Sequence, residues 1–173
     1  MLPCSQWPWP ATEFISPMIG ETAWNAAKGH GSFLTFEFGP PSLVVKEHAS
    51  RERRTAYVRG AWGLWVYCCH WTITRAGAQL AWSEDDAATI DRAAADLNGQ
   101  RLTAIAADPA SGRTEFRFDL GGALATWPYG DDPDEEQWSI STRDAVLRIN
   151  ASGRYEIAAV DAPVSDEGWL PLV

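Results

Sequence analysis

The chain has 173 residues, of which 46% are hydrophobic and ten are Trp, so it can bury a core without disulfides and is too apolar to stay disordered. A net charge of −9 leaves no basic face for phosphates, which argues against a nucleic-acid binder. No run approaches the ~18 apolar residues of a membrane span, and three cysteines, with Cys68 next to Cys69, suit a reducing compartment.

Residues 1–18 are Pro-rich, contain Trp7-Pro-Trp-Pro10, and lack the cationic start and apolar centre of a secretion signal. They read as an extended arm lying on the domain of a cytoplasmic protein. Residues 19–28 fit a short helix stopped by Gly29, and a turn followed by a strand fits the window too. Alternation over 32–38, the breaker Gly39-Pro-Pro41 and the apolar start of a strand at 43–47 predict a hairpin. The connection 48–54 is mainly basic. It reads as a solvated hairpin tip or as a contact for an anion or an acidic surface, and it leads to a strand at 55–59.

The aromatic and β-branched stretch 60–73 reads as one central strand. Unbroken alternation puts Leu64, Val66, Cys68 and His70 on one face and Trp65, Tyr67, Cys69, Trp71 and Ile73 on the other. Neither face is polar, so both are expected to be covered. Arg75-Ala-Gly77 turns the chain into a strand at 78–82. A helix at 84–97 follows, with Ser83 as N-cap, Glu84, Asp85 and Asp86 in its first turn, and Asn98-Gly99 as its stop. Its stripe is Ala87, Ile90, Ala94 and Leu97. Strands are then predicted at 101–107, 114–119, 123–127, 137–141, 145–150 and 154–160. Residues 130–136 form an exposed acidic loop, and 161–173 a tail that carries Trp169.

Laying Trp62 on Trp138 also brings Leu64 onto Ile140, Ile73 onto Ile149 and Gly77 onto Gly153, while Phe36 and Phe38 resemble Phe116 and Phe118. This suggests two related β-meanders, at 31–83 and 101–160, joined by the helix. The fold class is therefore α+β: a single antiparallel, β-rich domain over 19–160, closed as a barrel or a sandwich, with one main helix.

Chemistry-bearing patterns are sparse. Cys68 and His70 would share a face, but no CxxC or HxxxH accompanies them, so buried thiols are expected rather than a metal site. There is no GxSxG elbow, phosphate loop or calcium-loop spacing, and no cofactor is expected. The tryptophans in or beside strands, including Trp65, Trp82, Trp127 and Trp138, are assigned to packing.

The segments Gly31-Ser-Phe-Leu-Thr-Phe-Glu-Phe-Gly39, Trp62–Trp71, Leu97–Leu102 and Phe116–Tyr129 resemble motifs of small uncharacterised bacterial proteins. The resemblance spans about residues 20–155 and implies no activity, cofactor or site. Five carboxylates, Asp131, Asp132, Asp134, Glu135 and Glu136, lie between Tyr129 and Trp138. These seven residues are the candidate contact for a basic protein partner, which makes a non-enzymatic binding module of immunity or regulatory type the leading expectation. A small-molecule binder or enzyme with a Trp- and Tyr-lined pocket between the halves, using His70 or Asp119, is the alternative.

Overall fold

Alternation of apolar and polar residues gives each strand one face to bury, and the buried faces of two sheets close on each other. The computed structural model describes residues 1–50, 52–162 and 168–173. In chain order the elements are β1 (Leu2–Pro3), α1 (Trp9–Ile15), β2 (Ala23–Lys28), β3 (Leu34–Phe38), β4 (Ser42–Glu47), β5 (Arg54–Arg59), β6 (Trp62–Val66), β7 (Cys69–Arg75) and β8 (Ala78–Trp82). Then come α2 (Ala87–Asp96), β9 (Leu102–Ala107), β10 (Thr114–Phe118), β11 (Gly122–Pro128), β12 (Glu136–Ser141), β13 (Ala145–Asn150), β14 (Arg154–Ala159) and β15 (Leu170–Pro171). One sheet runs β1-β9-β10-β11-β7-β8 and the other β15-β14-β13-β12-β6-β3-β2, while β4 and β5 form a separate ribbon. All strand pairs are antiparallel, so the expected α+β class with one main helix holds. No described helix is long and apolar enough to cross a membrane.

The stretch 60–73 is not one strand. Cys68 has φ 48°, in the left-handed region, and there the chain passes from one sheet to the other: β6 pairs with β3 and β12, β7 with β8 and β11. This single residue resets the alternation. Leu64 and Val66 point inward before it, and Cys69, Trp71 and Ile73 point inward after it. His70 therefore does not share a face with Leu64, and Trp65 is 57% exposed rather than covered.

The two halves share one strand topology, but not the expected alignment. Strands β2, β3 and β6 are followed by a crossing to β7 and β8; strands β9, β10 and β11 are followed by a crossing to β12 and β13. The resulting orders, β8-β7-β11-β10-β9 and β13-β12-β6-β3-β2, correspond strand for strand. Register extends the correspondence to residues. Phe36 pairs with Leu64 as Phe116 pairs with Leu124. Val66 pairs with Trp138 as Thr126 pairs with Trp71. Trp138 thus corresponds to Trp71 and not to Trp62, because the loop lengths differ between halves and a constant sequence shift slips the register. Both indoles are fully buried.

Each sheet leaves an edge to be covered. Along β2, α2 and the turn after it do this with side chains: Asp91 Oδ1, on the helix, accepts the Lys28 N–H at 3.0 Å, and Asn98 Oδ1, just past the helix end, accepts the Ala26 N–H at 2.8 Å. Residues 19–28 are accordingly a turn and a strand rather than a helix. Helix α2 starts later than its acidic run suggests. Asp86, not Ser83, is the N-cap, its Oδ1 accepting the Thr89 N–H at 3.0 Å. The N-terminal residues do not form an extended arm. After β1 come a turn and α1, and Trp7, Ala11, Ile15 and Met18 enter the core. Pro10 sits in the first turn of α1, where its missing N–H costs nothing. In the expected tail, β15 pairs with β14 and Leu172 is fully buried, whereas 163–167 lie outside the described residues.

The indole Nε1 of Trp71 donates to Ser32 O at 2.7 Å, but that of Trp138 has no acceptor among the described residues. Replacing Trp71 by Phe is therefore expected to cost about 1 kcal/mol more than replacing Trp138 by Phe. Urea unfolding at equal m-values measures the difference; equal losses would contradict it.

Candidate functional site

The acidic loop between β11 and β12 is tied down by its backbone and free at its side chains. Ser152 N–H donates to Pro133 O at 3.0 Å and Ala151 N–H to Glu135 O at 2.8 Å, which pins the loop to the β13–β14 turn. Asp132 Oδ1 accepts the Asp134 N–H at 3.0 Å. Asp131, Asp132 and Asp134 are exposed, Glu135 is half-buried, and Tyr129 is 63% exposed.

Two of the seven candidates do not belong to this surface. Trp138 points inward from β12, its ring 6.4 Å from Trp7 and 5.1 Å from Phe116, so it cannot reach a partner. Glu136 turns away from the loop to Arg148, 3.6 Å away, and accepts a hydrogen bond from the Tyr67 hydroxyl. Arg148 also pairs with Glu156 at 3.2 Å. Burial, helped by Glu136, holds the Tyr67 phenol well above its usual range, so it stays protonated and donates.

The residue that the fold does bring to Tyr129 is His70. Once Cys68 has reset the alternation, His70 faces outward from β7, between Trp82 at the end of β8 and Trp127 near the end of β11. Its ring lies 4.8 Å from Tyr129, 5.8 Å from Trp127 and 6.4 Å from Trp82. The Arg113 guanidinium covers Trp127 at 5.5 Å. Beside the cluster is a cavity of about 430 Å³ with Phe33, Cys68, Ser83, Glu84, Tyr129 and Glu135 in its wall. Trp82 and Trp127 were missed because alternation alone assigns them to packing, and His70 was expected in a pocket between the halves rather than on this outer face. The available signal was the density of Trp and Tyr at the ends of neighbouring strands.

The polar groups around the cluster do not form a nucleophilic triad. Ser83 Oγ at 3.2 Å and Glu84 Oε1 at 3.9 Å both face Nδ1 of His70, whereas a triad sets its nucleophile and its orienting carboxylate on opposite ring nitrogens. Burial and the carboxylates of Glu135 and Glu136 push the Cys68 thiol up, which disfavours the nucleophilic thiolate. Cys69 is buried, its thiol donates to Gln137 O at 3.3 Å, and its thiolate is disfavoured even more strongly. Among the described residues no group of three His, Cys, Asp or Glu side chains could hold a metal ion. Asp119 is taken up by structure, its Oδ1 accepting the Arg101 N–H at 2.8 Å. What the cluster can do is present flat aromatic surface next to carboxylates.

Comparison with models of protein families, with curated proteins and with solved structures gives no match. The functional reading therefore rests on geometry.

Glu136→Gln is expected to lower stability by about 2 kcal/mol, since it weakens charge-assisted bonds to Arg148 and Tyr67. The joint change of Asp131, Asp132 and Asp134 to Asn should stay within about 0.5 kcal/mol of the parent in urea unfolding. A reversed order would show the loop carboxylates to be structural. For Cys68, a raised pKa means less thiolate at any given pH. Although exposed, it should react with a disulfide reagent more slowly than a cysteine peptide at mildly alkaline pH, and Glu135→Gln should speed the reaction.

Proposed function

We propose that the protein is a non-enzymatic binding module, of immunity or regulatory type, that caps a basic protein partner through the face around His70. The observation that carries this reading is the juxtaposition of Trp82, Trp127 and Tyr129 around one imidazole with exposed Glu84 and the acidic loop alongside. Aromatic faces and carboxylates serve the same guest in different ways. A Lys or Arg side chain gains cation–π attraction from the rings at short range and steering from the carboxylates at longer range. The contact set is Tyr129, Trp82, Asp131, Asp132, Asp134 and Glu135, with Glu136 and Trp138 serving as support. The reading sets the protein in the cytoplasm, where Cys4, Cys68 and Cys69 remain free thiols.

An enclosed pocket between the two sheets has less support, because Trp71, Trp138, Phe36, Phe38 and Phe116 fill that space.

A displayed random-peptide library tests the proposal. Sequences selected on the parent chain should carry Lys or Arg, and the pair Trp82→Ala and Tyr129→Ala should weaken their binding by about tenfold or more. Changing Asp131, Asp132 and Asp134 to Asn should slow association at low salt, with the loss shrinking as salt screens the field. Selection of neutral or acidic peptides, or association indifferent to salt, would count against it.

A further inference from the structure

On the outer face of the other sheet, two rows of side chains run across neighbouring strands. In one row Thr35, Trp65, Ser139 and Arg148 stand opposite one another on β3, β6, β12 and β13. In the next, Glu37, Gly63, Ser141 and Val146 do the same. The β4–β5 ribbon leans over these rows and contributes Tyr57 and Arg59, enclosing a groove of about 510 Å³. It lies on the seam where β6 of the first half meets β12 of the second.

Gly63 forms the floor, and its missing side chain matters. A Cβ there would lie 3.4 Å from Ser141 Oγ, 3.7 Å from Glu37 Oε2 and 3.8 Å from Arg59 Nη2. Three polar groups of different character thus converge on one point: a hydroxyl, an acceptor-only carboxylate and a donor-only guanidinium. Arg59 is held there by Ser141, to which Nη2 donates at 2.5 Å, and it has no carboxylate in ion-pair range among the described residues. Glu37 is held by the Gly60 N–H, 2.8 Å from its Oε2, which leaves its other oxygen unused among the described residues. Arg148, at the far wall, is already neutralised by Glu136 and Glu156. Trp65 stands beside this point, 57% exposed, an indole that contributes little to the core.

The balance of charge selects the ligand. An anion drawn to Arg59 would meet Glu37, and a cation drawn to Glu37 would meet Arg59. A hydroxyl suits both, because it donates to the carboxylate while accepting from the guanidinium. A ligand with adjacent hydroxyls on its rim and an apolar C–H face would also use the indole of Trp65, covering surface that is otherwise left in water. We propose that this seam groove binds a neutral saccharide, with the ring on Trp65 and hydroxyls shared between Arg59, Glu37 and Ser141. The site is separate from the His70 face and does not depend on it.

The test uses saturation-transfer NMR on the full chain with a panel of neutral di- to tetrasaccharides built from glucose, galactose, mannose or N-acetylglucosamine. At least one member should bind at millimolar concentration or better. Trp65→Ala should weaken that binding by about tenfold or more, and Ser141→Ala should weaken it as well. Trp65→Ala should keep the parent's urea midpoint, because Trp65 lies outside the core; if it fails to fold, Trp65→Gln takes its place. Benzoate and free amino acids form the competing arms. Absence of transfer from every saccharide, binding that survives the loss of Trp65, or displacement by benzoate or an amino acid at lower concentration would each overturn the proposal.

Discussion

Because β6 and β7 leave Cys68 into opposite sheets, and β11 and β12 do the same across residues 129–135, neither half can bury its apolar faces alone. Trp71 enters the core from the sheet that carries β9, β10 and β11, and Trp138 from the sheet that carries β2, β3 and β6. Each half thus places its largest buried side chain in the other half's sheet. The contacts that result are long in sequence, so the halves must assemble together, and cooperative unfolding with slow folding is the natural consequence. The bend at Cys68 is bought with a left-handed non-glycine residue, a cost of about 1 kcal/mol that the surrounding core outweighs.

The same exchange decides where function can lie. Once both inner faces are spent on the core, only the outer faces and the strand ends remain, and these differ between the sheets. The row Thr35, Trp65, Ser139, Arg148 has its counterpart in Glu115, Ala125, Thr72, Trp82 across β10, β11, β7 and β8. Trp65 is replaced by Ala125 and Arg148 by Trp82, so equal topology carries unequal surfaces. One sheet presents an aromatic platform over its seam, with balanced charge around it. The other gathers its aromatics at the strand ends, beside carboxylates.

The β4–β5 ribbon is the part least supported by the core. Leu43, Val45, Tyr57 and Val58 are all exposed on it. Its base is nevertheless well defined. Glu37 binds the Gly60 N–H, and a Cβ on Gly60 would come within 2.5 Å of Phe38 O, so the chain can cross β3 this closely only at a glycine. That crossing fixes Arg59 and Tyr57 over the groove while the tip of the ribbon extends into solvent.

Strand alternation, turn residues and the helix stop are local in cause, and for that reason the sequence alone determined the antiparallel α+β class, the break between two strands at Gly39, and the position of the main helix to within a few residues. The exposure of Asp131, Asp132 and Asp134 was legible as well, since several carboxylates close together resist burial. What only the tertiary structure decided depends on register and on a single dihedral angle. The left-handed turn at Cys68 follows no local rule for cysteine, yet it reverses the facing of β7, which moved His70 to the surface and turned Trp71 into the core. Likewise, nothing near Glu136 in the chain distinguishes it from Glu135. Arg148 and Tyr67 reach it only because β13 and β6 flank β12, so one carboxylate became part of the structure while its neighbour stayed at the surface.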